Sequence, residues 1–144
     1  MSTIVQDNKQ TVLGFFAAVS GRRPDDLAEF MAADVIDHNK IIHGEADEPG
    51  AAFDGIRSQL AAFDPLVVQV EELVGEGDRV VARVTQRGTH NGTHPRMPAP
   101  TGREFEVEAI WIFTLAQGKI AQIRAVSDRL GIFLQLGWDW PQAD

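Results

Sequence analysis

A change of period near residue 65 constrains this chain more than any other feature. Before it, apolar residues recur at helical spacing; after it, they alternate. The clearest alternation runs from Arg103 to Leu115. There Phe105, Val107, Ala109, Trp111 and Phe113 share one face of an extended strand, and Glu104, Glu106, Glu108, Ile110 and Ile112 share the other. Both faces carry groups to bury. Two shorter alternating runs precede it, Leu66 to Glu71 and Val80 to Thr85, with "GEGD" between them as a hairpin turn. "AQGK" turns the long strand back into Ile120 to Ser127. The four runs predict an antiparallel meander.

The first half reads as helices. Val12, Leu13, Phe15, Phe16 and Val19 mark a helix that ends at "SGRR". Pro24 suits the first position of a short second helix, whose Asp25, Asp26 and Glu29 lie near the positive end of its dipole and whose buried stripe is Leu27, Phe30 and Met31. Val35 and Ile36 support a short strand over Asp34 to Asn39. Phe53, Ile56, Leu60 and Phe63 predict a third helix from about Gly50 to Phe63, stopped by Asp64 and Pro65. "DRLGIFLQLG" closes the chain with a short helix. Helices first and a meander afterwards make an α+β domain, read as one unit over residues 1–144.

Composition removes several functions. Thirteen basic residues against 21 acidic give a formal charge of −8, which repels phosphate backbones and anionic membranes, so nucleic acid and membrane are not expected partners. The chain has no Cys, which removes thiol nucleophiles, disulfides and Cys metal sites and fits a cytoplasmic location. No apolar run reaches the roughly 18 residues a membrane helix needs, and Met1 to Gln10 shows no signal pattern. The His residues do not form a metal motif, so no metal is expected. The loop "NGTHPRMPAP" has the character of a lid, its Pro residues limiting disorder.

The order of elements, together with "THNG", "PAPTGREFEVEAIWIF", "GKI" and "DRLGIFLQLG", resembles the SnoaL-like polyketide cyclases and related ester-cyclase-like proteins of the nuclear-transport-factor-like superfamily. The resemblance implies a cone-shaped α+β barrel: a strongly curved, mainly antiparallel sheet wrapped by N-terminal helices around an apolar cavity, with a second subunit on the sheet. It also implies an aromatic polyketide substrate and an intramolecular aldol closure without metal or organic cofactor. In those cyclases an Asp on the last long strand acts with a His on the strand before it. Counting from "GKI" and "QLG", the corresponding positions here are Ala125 and Trp111, neither of which exchanges a proton at neutral pH. The resemblance extends to cofactor-independent hydroxylases of anthracycline pathways, whose cavity residues also depart from the cyclases. The function is therefore read as a cofactor-free enzyme of aromatic polyketide or similar polyphenol biosynthesis, cyclase-like or hydroxylase-like. The alternative is a non-catalytic binding or assembly protein of the same fold.

The candidate site follows from these readings. His38, beside Asp37, is either a surface histidine or a base at the cavity mouth. His90, at the end of the third strand of the chain and so of the second run of the meander, is a second candidate, whereas His94 is read as exposed and His43 as structural. Glu108 lies on the face opposite Trp111, where a cross-strand ion pair with Arg124 or a subunit contact outranks catalysis. Asp128 is a helix cap or an acid/base group. Trp111, Phe15, Phe53, Ala125 and Met97 are the expected substrate contacts; Phe16 and Phe63 are read as core or cavity wall, and Trp138 and Trp140 as packing anchors. Large aliphatics mixed with charge on the Glu104 to Ile112 face predict a homodimer through the sheet.

Overall fold

The computed structural model describes residues 3–39, 48–97 and 99–139, so His43 and Trp140 lie outside the described residues. Helix α1 (Ile4–Ser20) starts at a capping box in which Thr3 and Gln6 satisfy each other's backbone N–H groups. A 3-10 helix (Pro24–Glu29) follows, as the proline predicted, and then strand β1 (Met31–Asp37). Helix α2 (Ala51–Ala62) leads into β2 (Phe63–Glu76), β3 (Arg79–His90), β4 (Glu104–Ala116) and β5 (Lys119–Ser127), and α3 (Arg129–Gln135) closes the order. These boundaries agree with the expected elements, with two shifts. Strand β1 begins three residues before Asp34 and ends before His38, and the strand after α2 begins at Phe63.

The sheet order is β1-β5-β4-β3-β2, antiparallel throughout except that β1 runs parallel to β5. It is open, with β1 and β2 as edges. Three one-residue register shifts interrupt the antiparallel ladders and bend the sheet: β2 carries one extra residue between the pairs Phe63–His90 and Leu66–Gly88, Glu71 is extra in β2 between Val70–Val84 and Glu72–Arg83, and Ala121 is extra in β5 between Ile120–Leu115 and Gln122–Thr114. The bend brings the inner faces of the edge strands around α1. Phe15, Phe16 and Val12 of α1 pack there on Val80, Ala82 and Val84 of β3 and on Phe113 and Leu115 of β4, all buried. Fully burying one such aliphatic or aromatic side chain contributes about 1.5–3 kcal/mol.

Polar ties fix α1 to the β2 edge. Ser20 Oγ accepts the Val68 N–H at 2.9 Å, and the Arg22 guanidinium donates to the carbonyls of Phe63 (2.7 Å) and Leu60. The Leu60 carbonyl belongs to the last turn of α2, which has no intrahelical partner to offer it. Gln117 and Gly118 turn β4 into β5 with φ of 54° and 79°, the left-handed pair of a two-residue hairpin. That tight turn sets Ala116 against Lys119 and carries Ile112 opposite Arg124. Glu108 therefore falls beyond Arg124, and the expected Glu108–Arg124 pair does not form. Glu108 instead accepts from Arg83 of β3 at 3.0 Å, and Glu72 holds the same guanidinium at 2.8 Å. Among the described residues no helix is long and apolar enough to cross a membrane.

Candidate active site

Between the inner face of the sheet, α2, α3 and the loop after β3 lies a cavity of about 600 Å³. Its floor is read directly from the register. Trp111 of β4 is flanked by Ala82 of β3 and Ala125 of β5, each paired with it across the ladder. Two methyl side chains leave room for the indole, which stacks on Phe113 (centroids 5.6 Å, planes 15° apart) and meets the Phe16 ring edge-on at 5.5 Å. The Trp111 Nε1–H is buried and has no acceptor among the described residues. Ala125 and Trp111, the positions expected to replace an acid/base pair, are thus directly opposed and both line the cavity.

The roof comes from one face of α2. Ala52, Gly55, Ile56 and Gln59, at positions i, i+3, i+4 and i+7, line the cavity, whereas Phe53 packs partly buried against the core and is not among the lining residues. Phe15, Phe16, Phe63 and Phe105 add aromatic wall, and Phe133 of α3 stacks on Trp138 at 4.4 Å beside the opening. Trp138 thus both packs and lines.

Polar groups enter at few points. Asp37 is paired with the buried Ile123 and lines the cavity. Its Oδ1 accepts the Asn39 N–H at 3.0 Å, and Asn39 Oδ1 in turn accepts the Ala125 N–H at 3.0 Å. Asn39 lines the cavity beside Asp37. Asp37 is the one carboxylate among the described lining residues. His38 goes the other way: its Nε2 lies 2.9 Å from Gln122 Oε1, and Gln122 shares the outer face with Thr114. Alternation at the end of β1 explains the difference, since Asp37 and Ile36 must face opposite sides and His38 follows Ile36. Gln86 lines the floor because Val80, Ala82, Val84 and Gln86 are the inward positions of β3.

The other candidates have defined places. His90 is fully buried but does not line the cavity; its Nδ1 accepts the Thr101 N–H at 3.3 Å, which leaves Nε2 as the N–H, and that atom has no acceptor among the described residues. The His90 carbonyl accepts from Gly102 at 2.7 Å, so His90 joins the two ends of the loop 91–103. Asn91 bonds both backbone groups of Asp64, and Gly92 donates to the Ala62 carbonyl at 3.0 Å while lying so close to Ala61 that a side chain would overlap its carbonyl. The loop is therefore clamped at its base, and His94, Arg96 and Met97 reach the cavity from its tip. His94, expected to be exposed, is half-buried there. Asp128 Oδ1 caps α3 through the Gly131 N–H at 2.8 Å. Glu108 is on the outer face with Arg83, whose pKa its hydrogen bond raises. Of the nine expected site residues, Trp111, Phe15, Ala125 and Met97 line the cavity; His38, Asp128, His90, Glu108 and Phe53 do not.

Sequence reading missed Asn39, Gln59, Gln86, Ser127 and Arg129 as lining residues. Gln86 was detectable: a polar residue in register with an apolar inward row is the informative kind of exception. Asn39 and Arg129 were not, because their position depends on where β1 and β5 end.

The sequence profile of the SnoaL-like polyketide cyclases matches residues 10–136. Aklanonic acid methyl ester cyclase DnrD of Streptomyces peucetius is 32% identical over 121 residues, covering 83% of each chain. Nogalonic acid methyl ester cyclase of Streptomyces nogalater is 30% identical over 129 residues, 87% of this chain and 93% of that one. Among solved structures, TsrD from Streptomyces laurentii superposes with a TM-score of 0.82 at 29% identity, covering 94% of this chain and 98% of its own. With an open curved sheet, a lidded aromatic cavity and a profile match over most of its length, this chain belongs to the SnoaL-like polyketide cyclase family.

Proposed function

We propose that this protein is a cyclase of aromatic polyketide biosynthesis that closes a ring by intramolecular aldol addition, with Asp37 as the base. The observation that carries the reading is a 600 Å³ aromatic-walled cavity with one carboxylate among its described lining residues. A planar polyketide of the kind named for the curated relatives is matched to a wall of Trp111, Phe16 and Phe105. The Asp37 carboxylate takes the proton from a carbon next to a carbonyl, and the resulting enolate carbon forms the new C–C bond to a second carbonyl. The alkoxide so formed recovers the proton from Asp37. The Asn39 amide, beside Asp37, donates to the enolate oxygen and lowers the cost of its charge. No oxidant enters this balance. Because no acid/base group occupies Trp111 or Ala125, the work of the family pair is transferred to β1.

The test is incubation of the purified protein with aklanonic acid methyl ester under nitrogen and under air. Conversion to an isomer of unchanged mass in both atmospheres, lost in Asp37→Asn, supports the proposal. A product heavier by one oxygen, formed only in air, would move the assignment to hydroxylation. Binding without conversion would favour a carrier.

We further propose that two copies pair through the outer face of the sheet, acting in the cytoplasm. Val74, Ile110 and Ile112 lie exposed on that face at 60%, 46% and 38%, framed by the Glu72–Arg83–Glu108 ion pairs. Apolar groups of this size at the centre of a charged frame are what subunit contacts cover.

A further inference from the structure

Two side-chain amides stand in apolar rows of the cavity wall. Gln86 follows Val80, Ala82 and Val84 as an inward position of β3, and its ladder neighbours on either side are Val107 of β4 and Val68 of β2. Gln59 belongs to the stripe of α2 that also carries Ala52 and Ile56. Both line the cavity and both are half-buried, one in the floor and one in the roof. If these positions served packing alone, a valine in the strand and a leucine in the helix would suit them better.

Neither amide has a bonding role inside the protein. Among the described residues no side-chain hydrogen bond reaches Gln59 or Gln86, whereas Gln6 caps α1, Gln69 accepts from Arg87, Gln122 meets His38 and Gln135 bonds the backbone of Glu106. Gln10 and Gln117 also lack such partners, but both are exposed and bulk water serves them. Gln59 and Gln86 differ in where they stand. A ligand that fills the cavity displaces the water around these two amides, so it must supply hydrogen bonds of its own or leave both unpaired.

The chemistry of the amide narrows the partner. Each side chain has a carbonyl oxygen that accepts and an N–H₂ that donates, and neither group is charged. A ring hydroxyl serves either end. An ether or ketone oxygen serves only the N–H₂, and a hydrocarbon edge serves neither.

We infer that Gln59 and Gln86 are specificity-determining residues that select an aromatic ligand carrying ring hydroxyls, one met from the α2 roof and one from the β3 floor, over the same ring without them. This rests on the aromatic-ligand reading of the cavity and deepens it, because it names the polar groups of the ligand and the residues that read them.

The experiment is isothermal titration of the wild-type protein and three single variants with 2,6-dihydroxynaphthalene and with naphthalene. Both probes are uncharged at neutral pH, since a phenol ionises at about pH 10, so the charged residues of the cavity do not decide between them. The quantity read is the ratio of the two dissociation constants, which removes effects common to both rings. Gln86→Met and Gln59→Met should each reduce the preference for the diol by about 3- to 10-fold, the net worth of one neutral hydrogen bond. Gln10→Met, which removes an exposed amide, should leave the ratio unchanged. Both cavity variants should melt within about 3 °C of wild type, because neither amide has a bond within the protein to lose. An unchanged ratio in both cavity variants would overturn the inference while leaving the aromatic-ligand reading in place, and an unchanged ratio in one would remove that residue from it. An equal fall in Gln10→Met would also overturn it, since the effect would then not belong to the cavity. Loss of folding in either cavity variant would show that its amide serves the protein rather than the ligand, with the same consequence. Failure of both probes to bind the wild-type protein would overturn the aromatic-ligand reading and this inference with it.

Discussion

Replacing Trp111 with Phe separates two effects that Trp111→Ala would merge. The indole N–H is buried without an acceptor among the described residues, and an unsatisfied buried donor costs about 1–3 kcal/mol, so its removal should stabilise the empty protein by that amount. Against this stands lost volume. Phe is smaller than Trp by about 40 Å³, and at about 24 cal/mol per Å³ the gap costs roughly 1 kcal/mol. The stacked contact with Phe113 and the edge contact with Phe16 can both be kept by a phenyl ring. The net expectation is a change between zero and about 2 kcal/mol in favour of the variant, a Tm equal to or up to about 8 °C above wild type for a domain of this size. Ligand binding should move the other way. If a bound carbonyl or phenol oxygen accepts the N–H, Trp111→Phe should lose about 3- to 10-fold in affinity, the net worth of one hydrogen bond. Differential scanning calorimetry gives the first number and isothermal titration the second, neither depending on the lost fluorophore. A Tm several degrees below wild type would refute the reasoning, because it would mean that the N–H is already satisfied in the empty cavity.

Asp37→Asn should lower turnover by about 100- to 10,000-fold with ligand affinity retained, whereas His38→Ala, which removes only the contact to Gln122, should stay within a few-fold of wild type; steady-state rates of the pair decide which residue is the base. Gly92→Ala forces a methyl against the Ala61 carbonyl and should destabilise the protein by about 1–3 kcal/mol while exposing the 91–103 loop to limited proteolysis. Phe113→Ala, at 0% exposure between Phe15 and Phe16, should cost about 3–5 kcal/mol in urea unfolding with an unchanged m-value. Ile112→Glu on the outer face should convert a dimer to monomers by light scattering, and a wild-type protein already monomeric at micromolar concentration would count against the pairing.

The sequence carries the inward face of β4 without ambiguity, since a thirteen-residue strand with strict alternation has one solution once Phe105 and Phe113 are buried. From there Trp111 on the cavity floor follows. What alternation cannot carry is a parity change. The bulges at Glu71 and Ala121 each reverse which residues face inward, so Leu73 rather than Glu72 meets Ala82, and Ala125 rather than Arg124 meets Trp111. A bulge is set by how the sheet must bend over α1, a property of the packed whole. The same holds for β1, which pairs with β5 across some ninety residues of chain, so nothing local tells whether Asp37 or His38 turns inward. Glu108 shows the third limit: its partner was decided by a two-residue turn nine positions away.

Strand β4 runs past the end of β5, whose last pair is Ala109 with Ser127, so the backbone at Glu106, paired with Arg87 of β3 on one side, is left with no strand on the other. Gln135 of α3 fills the gap, its Oε1 accepting the Glu106 N–H at 2.7 Å and its Nε2 donating to the Glu106 carbonyl at 3.1 Å. One side-chain amide thus imitates a neighbouring strand for one residue. Such an uncovered stretch is a template on which another chain can add, the first step of ordered aggregation. The closing helix, besides bordering the cavity, therefore covers a stretch of sheet that would otherwise add a third uncovered segment to the two open edges, β1 and β2.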